Sequence, residues 1–247
     1  MVSTLFNKLI GFIYRVYKFK NYIFYTILNR KAKPKVIFKR FLLFFKDIEI
    51  IDKNIPWIPI KAKIWLDNNL TAEMMIYEYG SGMSTLYFSS KVKKIISIEH
   101  NKDWYNQIKE VLKKQQINNC EYLLREPEVI NNHIAKKIDP NYISELKSYK
   151  NYHFEKYIKN INAYPDDYFD LIFIDGRVRI ACIINSIKKI KSGGYLILDN
   201  SDEKKYRSSQ SILKNYKKLD FFDIAPVNPS YTYSKPSFWK TTIWQIK

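Results

Sequence analysis

Short apolar runs alternate with helical patterns from residue 75 onward. Five runs have the composition of buried strands: 75–79, 95–99, 120–124, 170–175 and 194–199. Between them, apolar residues recur at helical spacing over 103–115 and 178–191. Strands that are apolar throughout and alternate with helices indicate a parallel sheet covered by helices on both faces.

The C-terminal segment follows a different pattern. Two apolar runs, 218–226 and 238–247, have no helical pattern between them, so we expect an antiparallel hairpin. The chain is therefore predicted to be an α/β protein with a doubly wound, Rossmann-like sheet of seven strands. Five strands would be parallel and two would form the hairpin. We place this domain at residues 56–247, with an insert at about 128–150.

Residues 1–55 form a basic, aromatic-rich arm that is predicted to be helical. Asp47 is the first acidic residue of the chain. This composition is typical of helices that lie on anionic membranes, and residues 1–46 are the predicted contact. The alternative is a helical extension packed on the domain with its lysines solvated. No spanning segment or secretory signal is visible, so a cytoplasmic protein, peripheral on the inner face of the membrane, is expected.

The net charge of +18 changes the expected partners. It favours an acidic partner such as nucleic acid, anionic lipid or an anionic glycan. The lysines are spread along the whole chain, however, which is equally expected from an AT-rich genome. The two cysteines, Cys120 and Cys182, lie in separate apolar segments and are predicted to be buried thiols without a disulfide or a metal.

A glycine pair follows the first strand. Glu78 ends an apolar run, Gly80 and Gly82 follow it, and Glu99 ends the next strand. This arrangement is typical of a nucleotide-type site, in which an acid can accept the hydroxyls of a ribose. A dinucleotide site would have a third glycine where this chain has Thr85. The alternatives are a site for S-adenosylmethionine and a tight turn without a ligand.

Two longer segments carry a family resemblance. "YEYGSGMSTLYFSSKVKKIISIEHNKDWY" and "FDLIFIDGRVRIACIINSIKKIKSGGYLILDNSD" together resemble the class I S-adenosylmethionine-dependent methyltransferases, in a bacterial branch associated with surface-glycan and small-molecule pathways. The resemblance covers about residues 56–247 without the insert. It implies that Glu78 and the glycine loop cradle the methionine part, that Glu99 holds the ribose, and that His100 and Asn101 lie near the adenine. The implied cofactor set is Glu78, Gly80, Ser81, Gly82, Ser84, Thr85, Glu99, His100, Asn101, Asp175 and Gly176.

A second constellation ends the fourth and fifth parallel strands. Asp175, Asp199 and Asn200 should emerge at one edge of the sheet, and such oxygen donors suit Mg²⁺ or Ca²⁺. The set is similar to that of catechol-type O-methyltransferases, where a divalent ion binds the acceptor hydroxyl. In the alternative, Asp199 and Asn200 cap a helix and Asp175 serves only the cofactor.

The residues after Asp175 depart from that family pattern. A lysine base is replaced by Arg177 and Arg179, which stay protonated and would instead clamp a carboxylate or phosphate of the acceptor. His133 and His153 are alternatives for the general base. The predicted catalytic residues are Asp175, Arg177 and His153.

These observations predict methyl transfer from S-adenosylmethionine to an oxygen of a sugar, a glycan or a related small molecule. One alternative is an RNA methyltransferase, which the charge favours. No Pro-Pro-aromatic tetrapeptide follows the fourth strand, so nucleic acid is the less expected partner. The other alternative is a non-catalytic, membrane-associated partner protein with the same fold.

Overall fold

The computed structural model describes residues 56–131, 138–144, 146–225 and 237–247, together with ten helical residues between positions 16 and 38. The chain divides into two compact units. The first consists of residues 1–69 and 220–241, and the second of residues 70–219 and 242–247. The predicted domain boundary at residue 55 lies outside the described residues, and stays a prediction.

The main sheet has seven strands in the order β3-β2-β1-β6-β7-β9-β8. The strands are β1 (Met75–Tyr79), β2 (Lys94–Glu99), β3 (Cys120–Leu124), β6 (Phe169–Ile174), β7 (Ile190–Leu198), β8 (Lys217–Ala225) and β9 (Ser237–Gln245). The first five are parallel, and β9 runs antiparallel to β7. The predicted α/β class and the seven-stranded sheet with its hairpin are confirmed.

Helices connect the strands. They are α1 (Ile60–Asn69), α2 (Met83–Ser89), α3 (Lys102–Lys114), α4 (Glu155–Lys159), α5 (Arg179–Ser186) and α6 (Ser208–Ile212). Four of the five residues of β1 and five of the six of β2 are buried, as expected for parallel strands covered on both faces. The order reverses between β1 and β6, and a ligand crevice is expected at such a reversal.

The insert forms a two-stranded ribbon. Its strands are β4 (Glu128–Val129) and β5 (Tyr152–His153), which pair in antiparallel fashion. Residues 132–137 and 145 lie outside the described part of the chain. A backbone hydrogen bond from Phe154 N to Tyr142 O, at 2.9 Å, holds the segment before β5 in place.

The arm is described at ten positions only. Phe19 packs against Phe238 of β9, with ring centroids 5.2 Å apart, in a cluster that includes the buried Phe222 and Ile224. Five large apolar side chains of the described arm residues are exposed: Val16, Tyr17, Phe24, Ile27 and Phe38. Within the described residues, no helix is both long enough and apolar enough to cross a membrane. Association of residues 1–46 with an anionic membrane stays a prediction.

Candidate active site

Gly80 and Gly176 lie back to back at the ends of β1 and β6. Gly80 has φ +92°, and a Cβ there would lie 2.5 Å from Gly176 Cα. A Cβ on Gly176 would in turn collide with the Tyr157 hydroxyl. Residue 80 must therefore be glycine, because the backbone at Gly176, just after β6, leaves no room for a side chain. The predicted contact of Gly80 with a cofactor stays a prediction.

Gly82 is surrounded differently. Its φ of 172° is extended backbone that any residue adopts. A Cβ at this position would have Trp104 as its nearest neighbour, at an ordinary 3.9 Å. Among the described residues, the protein itself leaves the space beside Gly82 open. A ligand that approaches the backbone here is therefore a sufficient reason for a glycine.

Glu78 is fully buried under this loop. Its Oε2 accepts hydrogen bonds from Thr85 Oγ1 at 2.6 Å and from Ser97 Oγ at 2.5 Å. Thr85 Oγ1 also accepts from the Gly82 N–H at 3.0 Å, so its hydroxyl joins the loop to the acid. The other carboxylate oxygen of Glu78, Oε1, has no hydrogen-bond partner in the described structure.

This burial has an electrostatic consequence for Glu78. Burial raises the pKa of its carboxyl from 4.5 to about 7, although the Ser84 hydroxyl and the hydrogen bonds from Ser97 and Thr85 act in the opposite direction. Close to neutral pH, the Glu78 site therefore takes up or releases a proton readily. A cationic group beside Oε1 would favour the carboxylate.

Glu99 ties the end of β2 to the glycine loop. Its Oε2 accepts from the Ser81 N–H at 3.1 Å and from Ser81 Oγ at 3.0 Å. Its Oε1 accepts from the backbone N–H groups of His100 and Asn101, both at 2.8 Å. Burial would raise the pKa of Glu99, but the hydrogen bonds from His100 and Asn101 outweigh it and hold that pKa below its usual value. The predicted ribose role of Glu99 stays a prediction.

Two residues that the sequence did not single out also hold Ser81. Tyr122 Oη lies 2.6 Å from Ser81 Oγ, and Trp104 Nε1 donates to Ser81 O at 2.8 Å. Trp104 lies in the first turn of α3. Asn101 caps this helix, because its Oδ1 accepts a hydrogen bond from the backbone N–H of Trp104 at 2.8 Å. Tyr122 lies outside the segments that carry the family resemblance, and Trp104 lies inside one of them without an implied role. Only their distance from Ser81 in the folded chain identifies them.

His100 lies among aromatic side chains from the end of the insert and from the segment that follows it. Its Nδ1 is 2.8 Å from Glu99 Oε1. The ring centroids of Tyr149, Phe154 and Tyr157 lie 5.4, 5.6 and 6.0 Å from its own. The predicted position of His100 beside Glu99 is therefore observed, while its adenine contact stays a prediction.

The constellation predicted as a metal site contains a protein cation. Arg179 Nη2 contacts Asp175 Oδ1 at 2.8 Å and Asp175 O at 2.6 Å. Its Nη1 donates to Asp199 O at 2.7 Å and to Asn200 Oδ1 at 3.2 Å, and its Nε to Gly176 O at 2.9 Å. These contacts use all five donors of the guanidinium.

This arrangement does not fit a divalent cation. Asp175 Oδ1 and Asn200 Oδ1 already contact the Arg179 guanidinium, and a divalent cation between these residues would lie against that positive charge. No group of three or more His, Cys, Asp and Glu residues in the described ranges could hold a metal. An asparagine at position 200 has a structural explanation without a metal, since the backbone there adopts φ 49°, a conformation that asparagine tolerates.

Arg179 is thus a positioning residue at the carboxyl edge. We expect Arg179→Lys to lower the free energy of unfolding by about 2 kcal/mol, because an ammonium has three donors and cannot replace the five donors of the guanidinium. Urea denaturation measures this. The exposed Arg207→Lys is the matched control, with an expected change within about 0.5 kcal/mol. Equal effects of the two substitutions would contradict the positioning role.

The remaining predicted catalytic residues are in separate places. Arg177 is half-buried and lines a cavity of about 190 Å³ beside Arg179. His153 is buried in the ribbon at 6% exposure and is not among the residues that line this cavity. The structure therefore does not bring His153 together with Arg177 at the cavity. His133 lies outside the described residues.

Comparisons with known proteins address the fold. No protein-family model and no curated protein matches the chain. Among solved structures, precorrin-6y C5,15-methyltransferase from Geobacter metallireducens GS-15 is 16% identical, with a TM-score of 0.50 over 76% of this chain and 88% of that one. A methyltransferase-like protein from Silicibacter pomeroyi DSS-3 is 15% identical, with a TM-score of 0.49 over 78% and 89%. A Streptococcus mutans structure in complex with SAH is 13% identical, with a TM-score of 0.47 over 78% and 100%.

At these identities the likeness concerns the fold alone. The strand order, the parallel core and the closing antiparallel strand agree with it. The chain has the Rossmann-like fold of class I S-adenosylmethionine-dependent methyltransferases.

Proposed function

We propose that this protein is an S-adenosylmethionine-dependent methyltransferase acting on an oxygen of a sugar, a glycan or a related small molecule. Two linked observations support the cofactor assignment: the space beside Gly82 is open, and Thr85 Oγ1 joins the Gly82 N–H to a buried acid, Glu78, whose Oε1 has no hydrogen-bond partner in the described structure. The α-ammonium group of S-adenosylmethionine would supply the missing cationic donor. A dinucleotide has no such ammonium group.

The residues present fit this cofactor. When bound, it supplies an electrophilic methyl group on a sulfonium. Glu78 would accept from the ammonium group, Gly82 would admit the ligand beside the loop, and Glu99 is the acid expected at the ribose. Ser81, Trp104 and Tyr122 hold the loop in place by the hydrogen bonds given above, so the site is formed before the ligand arrives.

Asp175 is our candidate for the base that takes the proton of the acceptor hydroxyl. Its side chain is one-third exposed at the edge where β6 ends. Burial raises the pKa of Asp175, which makes it a stronger base, although Arg179 opposes this rise. Asp175 would take the hydroxyl proton while the acceptor oxygen forms its bond to the methyl carbon and the carbon–sulfur bond breaks. The products are the methyl ether and S-adenosylhomocysteine.

Calorimetric titration of S-adenosylhomocysteine into the full chain tests the cofactor assignment. We expect a single site with a micromolar or tighter dissociation constant, because the loop is already ordered by its own hydrogen bonds. NAD serves as the control ligand and should bind more weakly. No heat from S-adenosylhomocysteine, or tighter binding of NAD, would contradict the proposal.

The net charge of +18 favours a second candidate, an RNA methyltransferase. The two candidates share the cofactor site and differ in the acceptor. Transfer of labelled methyl groups to total RNA, compared with transfer to nucleotide sugars and glycans, separates them. Label in RNA alone would replace the small-molecule acceptor by RNA.

A further inference from the structure

A cavity of about 190 Å³ lies at the carboxyl edge of the sheet. Three segments of the chain line it: the insert, the turn between β6 and α5, and the segment after β7. The side chains with polar groups include Ser144, Arg177, Arg179, Lys205, Tyr206 and Ser208. Arg177 follows Gly176, which contacts Gly80 of the cofactor loop. The cavity therefore begins where the proposed methyl donor would lie.

Arg177 differs from Arg179 in that it acts on Asp175 from a distance, where its charge lowers the pKa of that carboxyl, without pairing with it directly. Among the described residues, its guanidinium has no hydrogen bond and no carboxylate within 4.0 Å, whereas every donor of Arg179 is bonded. A half-buried guanidinium without an anionic partner is costly. An anion that enters the cavity with the acceptor would remove that cost.

A second cationic residue, Lys205, lines the cavity from the segment after β7. Lys205 pairs with Glu203 at 3.0 Å, and its ammonium lies 4.9 Å from the Tyr206 ring centroid. The Arg179 guanidinium lies 5.2 Å from the same ring. Tyr206 is 7% exposed, so the ring holds both cations at the cavity wall from a fixed position.

The wall also carries neutral donors. Ser144 and Ser208 contribute hydroxyl groups. The first turn of α5 borders the cavity, and no side chain in the described part of the chain caps its N-terminus at Val178. Free amides at such a terminus add to the positive potential made by the two cationic side chains.

We propose that the acceptor is a phosphorylated small molecule, whose phosphate binds in this cavity against Arg177 and Lys205. A phosphate carries close to two negative charges at neutral pH and several acceptor oxygens, which match two cations and several hydroxyl and amide donors. A carboxylate would neutralise only one cation. This inference rests on the proposed function, because it names the acceptor of that reaction.

The test is phosphate binding by the full chain. Inorganic phosphate and acetate are each titrated at constant ionic strength, and binding is followed by calorimetry. We expect millimolar phosphate affinity, weaker acetate binding, and a loss of about tenfold in phosphate affinity for Arg177→Gln. Lys205→Gln should also weaken phosphate binding and serves as the second variant. Arg207→Gln removes an exposed arginine outside the cavity lining and should bind phosphate as the wild type does.

Three results would overturn the proposal. They are the absence of phosphate binding, acetate affinity equal to that of phosphate, and equal losses in Arg177→Gln and Arg207→Gln, which would indicate general attraction to a basic protein. S-adenosylhomocysteine is titrated into the same samples. If it binds and phosphate does not, the phosphate site fails and the proposed function stands. If phosphate binds through Arg177 and S-adenosylhomocysteine does not bind, the phosphate site stands and the proposed function fails.

Discussion

Gly82→Val should abolish S-adenosylhomocysteine binding, by about 100-fold or more, in a protein that remains folded. The extended backbone at Gly82 accepts valine, and no described residue would lie closer to the new Cβ than 3.9 Å. The branched side chain would fill the space that the proposed cofactor needs. Because residue 82 is the N-cap of α2, we expect a loss of at most about 1 kcal/mol in the free energy of unfolding.

Gly80→Ala is the matched contrast two residues away. Its Cβ would lie 2.5 Å from Gly176 Cα at a φ of +92°, so the backbone must move. We expect the free energy of unfolding to fall by about 3 kcal/mol. Calorimetry and urea denaturation of both variants separate the two roles. If Gly82→Val still binds S-adenosylhomocysteine, the ligand does not occupy the open space beside the loop.

Glu78→Gln should change how stability depends on pH. The folded-state pKa of about 7 lies above the usual 4.5, so the folded protein binds a proton that the unfolded chain has lost between these values. The contribution of Glu78 to stability is therefore present at low pH and is lost as the pH rises through about 7. The loss between pH 5 and pH 8 is about 2–3 kcal/mol.

The glutamine variant has no proton to lose. Relative to the wild type, Glu78→Gln should gain about 2–3 kcal/mol between pH 5 and pH 8, measured by urea denaturation at both values. Any fixed cost of an unsatisfied amide cancels in this difference. Glu110→Gln, at an exposed position on α3, is the control and should show no such gain. An equal pH dependence in wild type and Glu78→Gln would contradict the raised pKa.

The strands could be predicted from the sequence because a parallel strand is buried on both faces. Continuous apolar runs marked β1 and β3 at their observed limits, and β2 and β6 within one residue. The helix predicted at 178–191 ran two residues too far, since α5 ends at Ser186, a 3₁₀ helix follows over Ile187–Lys189, and β7 begins at Ile190. Gly193 N donates to Ile246 O at 2.7 Å, and a pairing with a strand some fifty residues away cannot be read locally.

The candidate site divides in the same way. Glu78, the glycine loop and Glu99 stand at strand ends, and their positions follow from the sequence because all parallel strands end at one edge. The sequence alone thus determined the fold class and which residues gather at that edge. Only the tertiary structure decided how they are used: Gly80 packs against Gly176, Arg179 has all its donors bonded, and the Arg177 guanidinium has no hydrogen bond to a residue that the structure describes. The physical reason is that a side chain's free donors depend on acceptors that distant segments bring within about 3 Å.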